Sequence, residues 1–159
     1  MGLAYENGEG VAKNPNLAFS WFMKAANNGY MYAYYNIGRH YQYGLSVSVD
    51  MEKALFWYEK AASANHAYSN LMLGYWYLNG TNVQKNLFKA ASHFKNAAFQ
   101  GNTEGMVRYG YCFSRGYGVR QDSTRALLWL DRAIENDNYL AYYIKGIMYE
   151  NGYSVKKKR

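Results

Sequence analysis

Two neighbouring segments decide the fold: Ile37-Gly38-Arg39-His40-Tyr41-Gln42-Tyr43-Gly44 and, after a short loop, Asp50-Met51-Glu52-Lys53-Ala54-Leu55-Phe56-Trp57-Tyr58-Glu59-Lys60-Ala61-Ala62. In the second, Ala54, Trp57, Tyr58, Ala61 and Ala62 fall at i, i+3, i+4, i+7 and i+8, which is one face of an α-helix. Asp50 precedes it, where a carboxylate accepts from the unpaired N–H groups of a first turn. In the first segment Ala33, Ile37 and Tyr41 share a face, and Gly44 closes the helix in the left-handed conformation that glycine enters freely. Gly44→Ala therefore costs roughly 1 kcal/mol. Gly38 lies mid-helix, where a glycine marks a backbone that a neighbour must approach closely.

Working outward, both segments recur every 36 residues. Gly2, Gly38, Gly74, Gly110 and Gly146 share one column, and Gly8, Gly44, Gly80, Gly116 and Gly152 another. Tyr5, Tyr41, Tyr77, Phe113 and Tyr149 keep the same register, as do Val11, Val47, Val83, Val119 and Val155. Ala18, Ala54, Ala90 and Ala126 repeat, and Trp21, Trp57 and Trp129 share a position that His93 interrupts. The cap column reads Asn14, Asp50, Asn86 and Asp122, and the only proline, Pro15, follows Asn14 at the first helical position. Each unit is a helix A, a loop and a helix B. Stacked pairs bury what one pair cannot, so the fold class is an all-α solenoid. The expected division is a partial repeat 1–36, repeats 37–72, 73–108 and 109–144, a partial repeat 145–155 and a basic tail 156–159. Trp57 and Tyr58 are expected to fill the space between layers, with Trp57→Ala costing about 3–5 kcal/mol if the ring is buried. His93 marks a weak layer.

Composition narrows the function classes. Half of the 159 residues are apolar, which disfavours a disordered chain. One cysteine excludes a disulfide scaffold. No apolar run approaches the roughly eighteen residues of a membrane span. No export signal opens the sequence, so a cytoplasmic location is the default, and a secreted or periplasmic one follows if the chain is a fragment of a longer array. Four of the seven net positive charges sit in Lys156-Lys157-Lys158-Arg159, and the rest of the chain is unremarkable in charge. Neither nucleic-acid binding nor membrane insertion is expected from that pattern.

The run Ile37-Gly38-x-x-Tyr41-x-x-Gly44 with Asp50-x-x-Lys53-Ala54-x-x-Trp57-Tyr58-x-Lys60-Ala61-Ala62 resembles the Sel1-like repeat, a relative of the tetratricopeptide repeat. Tyr5-x-x-Gly8-x-Gly10-Val11 with Ala18-x-x-Trp21-Phe22-x-Lys24-Ala25-Ala26 is similar to it as well. So is the copy built on Tyr109-Gly110, Gly116-x-Gly118-Val119, Asp122, Ala126 and Trp129. The third copy, built on Gly74 and Gly80, departs in having Thr81-Asn82 in its loop and His93 in place of Trp. The resemblance covers the whole chain. It implies a right-handed superhelix and a scaffold or adaptor that binds a protein or peptide, as a monomer or as part of a larger multi-repeat assembly.

The stripe of helix A opposite its core face suggests where a partner lies. It holds Tyr32, Tyr35, Arg39 and Tyr43; then Tyr68, Leu71, Tyr75 and Asn79. The next copies give Glu104, Val107, Tyr111 and Arg115, then Leu140, Tyr143, Ile147 and Asn151. A solvated face should be mostly charged, and this one is mostly aromatic or aliphatic. Two readings stand: an aromatic concave groove, or packing against the next repeat. In the groove reading the tyrosines stack on a peptide, and Arg39 and Arg115 meet its acidic groups.

Enzyme chemistry lacks a constellation. Ser92-His93-Phe94-Lys95 fits the Ser-x-x-Lys of β-lactamases, but the companion motifs are absent. Cysteine-rich relatives linked to penicillin binding carry paired cysteines that this chain lacks. His40, His66 and His93 fall in different copies without metal-ligand spacing, and Cys112 stands alone. No cofactor and no metal are expected. The alternative function is an enzyme, or a regulatory subunit of one, with a site in the groove.

Overall fold

The computed structural model describes residues 1–152, so Val155 and the basic tail 156–159 lie outside the described residues. The described residues form nine α-helices and no strand. They are α1 (Gly2–Asn7), α2 (Pro15–Asn27), α3 (Met31–Tyr43), α4 (Met51–Ser63), α5 (Ala67–Asn79), α6 (Leu87–Phe99), α7 (Thr103–Arg115), α8 (Ser123–Ile134) and α9 (Tyr139–Glu150). Odd numbers are A helices and even numbers B helices. The chain divides into two compact units, 1–69 and 70–159, with the division falling inside α5.

The periodic signals act as read. Asn14, Asp50, Asn86 and Asp122 each accept a hydrogen bond from the backbone N–H three residues on, at 2.9–3.1 Å. The same four residues also donate their backbone N–H to Tyr5, Tyr41, Tyr77 and Phe113. One residue thus caps helix B and closes the A–B loop. Gly44 is left-handed at φ +64°, and its N–H bonds the His40 carbonyl. A second left-handed column lies at the B-to-A corner: Gly29, Asn65, Gly101 and Asp137.

The interior corrects one expectation. The Trp column is not the chief filler: Trp21 is 39% exposed and Trp57 only half-buried, whereas Trp129 is buried. The next position fills the layer, with Phe22, Tyr58, Phe94 and Leu130 all buried. One residue turns a helix by 100°, and that turn points the later side chain at the mid-helix glycine of helix A. A Cβ on Gly38 would stand 2.7 Å from the Tyr58 ring, and one on Gly74 would stand 2.5 Å from the Phe94 ring. The glycines are the seats of these rings. Around them lie the alanines at 18, 54, 90 and 126, all fully buried.

In the first unit Ala18, Phe22, Ala26, Ala33 and Ile37 form the core cluster. In the second the cluster runs from Leu71 through Phe94, Phe113 and Leu130 to Met148. At position 93 the layer is filled: His93 stacks on Tyr77 with the rings 3° from parallel, and its Nδ1 lies 3.0 Å from Asn70 Oδ1. Burial holds that imidazole down to about 4, with Lys89 nearby adding to the effect, so it is neutral at pH 7.

Candidate protein-binding interface

In the first unit Tyr32, Tyr35 and Tyr68 converge on His66. Tyr35 lies 4.9 Å from the His66 ring and meets Tyr68 edge-on at 5.6 Å, and Tyr32 meets His66 edge-on at 5.1 Å. His66 is fixed because its Nδ1 accepts from the Ser69 backbone N–H at 3.2 Å. Burial lowers its pKa, so a neutral ring sits among the tyrosines. Burial also raises the Tyr35 hydroxyl, against the opposing pull of Arg39. With Trp21 and Tyr30 these tyrosines line an open depression of about 730 Å³. Tyr43 is exposed outside it. Arg39 was expected to meet a partner's acid, but it is paired within the unit, Nη1 to Glu6 Oε1 at 3.0 Å.

In the second unit the stripe splits. Leu71 and Val107 are buried in the core. The Tyr75 hydroxyl donates to Glu104 Oε1 at 2.6 Å and accepts from Arg108 Nε at 2.5 Å, and its ring meets Phe94 edge-on. Burial first, then the bond to Glu104, pushes that hydroxyl up to about 12. Tyr75 and Arg108 therefore tie α5 to α7. The other stripe residues gather: Tyr111 and Arg115 of α7 and Tyr143 and Ile147 of α9 line one pocket of about 240 Å³. Tyr143 is 66% exposed, and the Arg115 guanidinium lies 5.6 Å from the Tyr111 ring centre. Among the described residues Arg115 makes no ion pair.

The Sel1 repeat family model matches residues 1–30, 32–66, 67–102 and 103–138. The chain belongs to the Sel1 repeat family. Its solved relatives include a Sel1 repeat protein from Oxalobacter formigenes, 34% identical with a TM-score of 0.87, over 92% of this chain and 43% of that one. Another is c5321, a protective antigen present in uropathogenic Escherichia coli strains and displaying an SLR fold. It is 30% identical with a TM-score of 0.86, over 99% of this chain and 34% of its own. Helicobacter pylori cysteine rich protein B is 25% identical with a TM-score of 0.62, over 83% of this chain and 95% of its own. This Sel1 repeat chain thus spans less than half the length of the first two. No curated protein sequence matches it.

The Sel1 repeat fold is one that mediates contacts between proteins, and the family is typically non-catalytic. Cys112 is buried, and burial pushes its thiol up to about 12, so it carries no thiolate at neutral pH. Ser92 is exposed on α6, and Lys95, three residues on, lies 5.9 Å from the Phe99 ring. His40 is fully buried against Phe19 and Phe22 with its Nδ1 on Ser46 Oγ. Among the described residues no cluster of histidine, cysteine and carboxylate could hold a metal ion. No described helix is long and apolar enough to cross a membrane.

Proposed function

We propose that this Sel1 repeat chain is a non-catalytic adaptor that binds a protein partner on the exposed faces of its A helices. The observation that carries the reading is the pocket between α7 and α9. Its 240 Å³ is below the roughly 300–1,000 Å³ of small-molecule sites, and it holds about eight waters at ~30 Å³ each. That is room for one large side chain. Leu140, Tyr143 and Ile147 make the wall apolar, and Arg115, which makes no ion pair among the described residues, supplies a cation at the rim. The fitting ligand is an aromatic or branched aliphatic residue flanked by a carboxylate. The aromatic depression of the first unit offers a second area with tyrosine surface, which loses little entropy on contact.

The test is a pulldown from the native host with the wild-type chain and the double variant Arg115→Ala, Tyr143→Ala. The proposal predicts a crosslinked partner that the variant loses while its helical circular dichroism is unchanged. Equal retention of the same partner by both chains overturns it.

A further inference from the structure

Rings gather at one place in the first unit where the repeat itself has no need of them. The column at the B-to-A corner holds Tyr30, His66, Asn102 and Asn138. Asn102 and Asn138 cap α7 and α9, each accepting from the backbone N–H three residues on. His66 does the same for α5 through its Nδ1, while Tyr30 makes no side-chain cap. Two columns of the A helices diverge in the same way. Tyr32 and Tyr68 stand where the second unit has Glu104 and Leu140. Half-buried Tyr35 stands where the second unit has the core residues Leu71 and Val107, and Tyr143 is the one later ring. The fold is thus built without rings at most of these positions, and the rings of the first unit are surplus to it.

The surplus rings are arranged as walls. Tyr35 and His66 lie 4.9 Å apart and 34° from parallel, Tyr68 stands at 88° to Tyr35, and Tyr32 stands at 85° to His66. Their faces look in different directions around one depression of about 730 Å³, within the roughly 300–1,000 Å³ of small-molecule sites. Seven of its thirteen lining residues carry rings, and among the described residues no aspartate, glutamate, lysine or arginine side chain lines it. Negative ring faces disfavour an anion. A primary ammonium is strongly hydrated, and the lining offers it no carboxylate in exchange. A quaternary ammonium donates no hydrogen bond and needs only ring faces within about 6 Å. The surrounding charge permits it. Residues 1–69 carry five acidic and five basic side chains, so this unit takes no part in the net charge of +7. Arg39 is paired with Glu6, and Lys24 is engaged 4.7 Å from the Trp21 ring centre. Burial keeps His66 neutral at pH 7.

We propose that this depression is an aromatic cage for a small molecule of the choline class, bearing a trimethylammonium group. The walls of Tyr32, Tyr35, His66 and Tyr68 take the head group, and Trp21 and Tyr30 take the rest of the ligand. The inference goes beyond the adaptor reading, which is carried by the pocket between α7 and α9.

The probe is choline, titrated with the full chain while the proton signal of its methyl groups is followed. Ring currents should move that signal upfield in a saturable manner. The uncharged isostere, with tert-butyl in place of trimethylammonium, has the same shape and should bind roughly tenfold more weakly. That arm uses the wild-type chain and does not depend on how any variant folds. Tyr35→Leu and Tyr68→Leu write in residues that the chain's own copies carry, Leu71 and Leu140. His66→Asn keeps the cap, as Asn102 does. Each should weaken choline binding roughly fivefold with unchanged helical circular dichroism. Equal affinity for choline and its isostere overturns the proposal, because the site is then merely apolar. So does choline binding that none of the three substitutions weakens, or no saturable shift at any soluble choline concentration. A trimethyl-lysine peptide that binds where choline does not also overturns it, in favour of a protein side chain.

Discussion

Helices α3 and α9 are copies of one element, yet the mid-helix glycine is covered in the first and, among the described residues, bare in the second. In α3 the mid-helix glycine, Gly38, is pressed by the Tyr58 ring, and that ring is held by a hydrogen bond from its hydroxyl to Gln42. In α9 a Cβ on the same glycine would meet nothing within 4 Å among the described residues. A glycine inside a helix costs roughly 0.5–1 kcal/mol relative to alanine. In α3 close packing offsets that cost, and in α9 nothing among the described residues does.

The largest expected effect probes the occupied seat. Tyr58→Ala empties it and should lower stability by about 3–5 kcal/mol in urea unfolding. Trp21→Ala, in the neighbouring and more exposed column, should lower it by only about 1 kcal/mol. Equal losses would erase the distinction between the two columns. The pH response comes next. His93 has its pKa lowered to about 4 in the folded chain, and burial lowers His40 and His66 too. In the unfolded chain histidine titrates near 6.5. Below that value the unfolded state takes up protons that the folded state refuses. Stability is therefore full above about pH 6.5 and falls as pH drops toward about 4. His93→Gln should flatten part of that slope, and an unchanged slope would remove His93 from the account. Smallest is the cap: Asp50→Ala should lower stability by about 1 kcal/mol, and Asp122→Ala by a like amount, because both perform one task in different units.

Sequence reading succeeded where one residue does one local job. Asn14 and Asp50 cap helices through their own side chains, and Gly44 ends one through its own φ, so the repeat and its helices were legible. It faltered where a rotation of one residue decides the neighbour. Trp57 and Tyr58 look alike as apolar bulk, and only the line to Gly38 tells which is core. The corner column was overlooked because Gly29, Asn65, Gly101 and Asp137 differ in type, though all four tolerate the left-handed region. The outward stripe of the A helices was half legible. Helical angle placed Tyr111, Arg115, Tyr143 and Ile147 together, and the pocket collects them. It could not foresee that Glu6 takes Arg39 or that Glu104 and Arg108 take Tyr75, because these partners lie 29 to 33 residues away and Glu104 and Arg108 occur in one copy only.

The seat itself is tested most directly by one paired measurement: urea midpoints of Gly38→Ala and Gly146→Ala beside the wild-type chain. The account predicts opposite signs. Gly38→Ala drives a methyl into the Tyr58 ring and should cost about 1–3 kcal/mol, whereas Gly146→Ala only removes a helix-interior glycine and should gain up to about 1 kcal/mol. Midpoints that move in the same direction would contradict it.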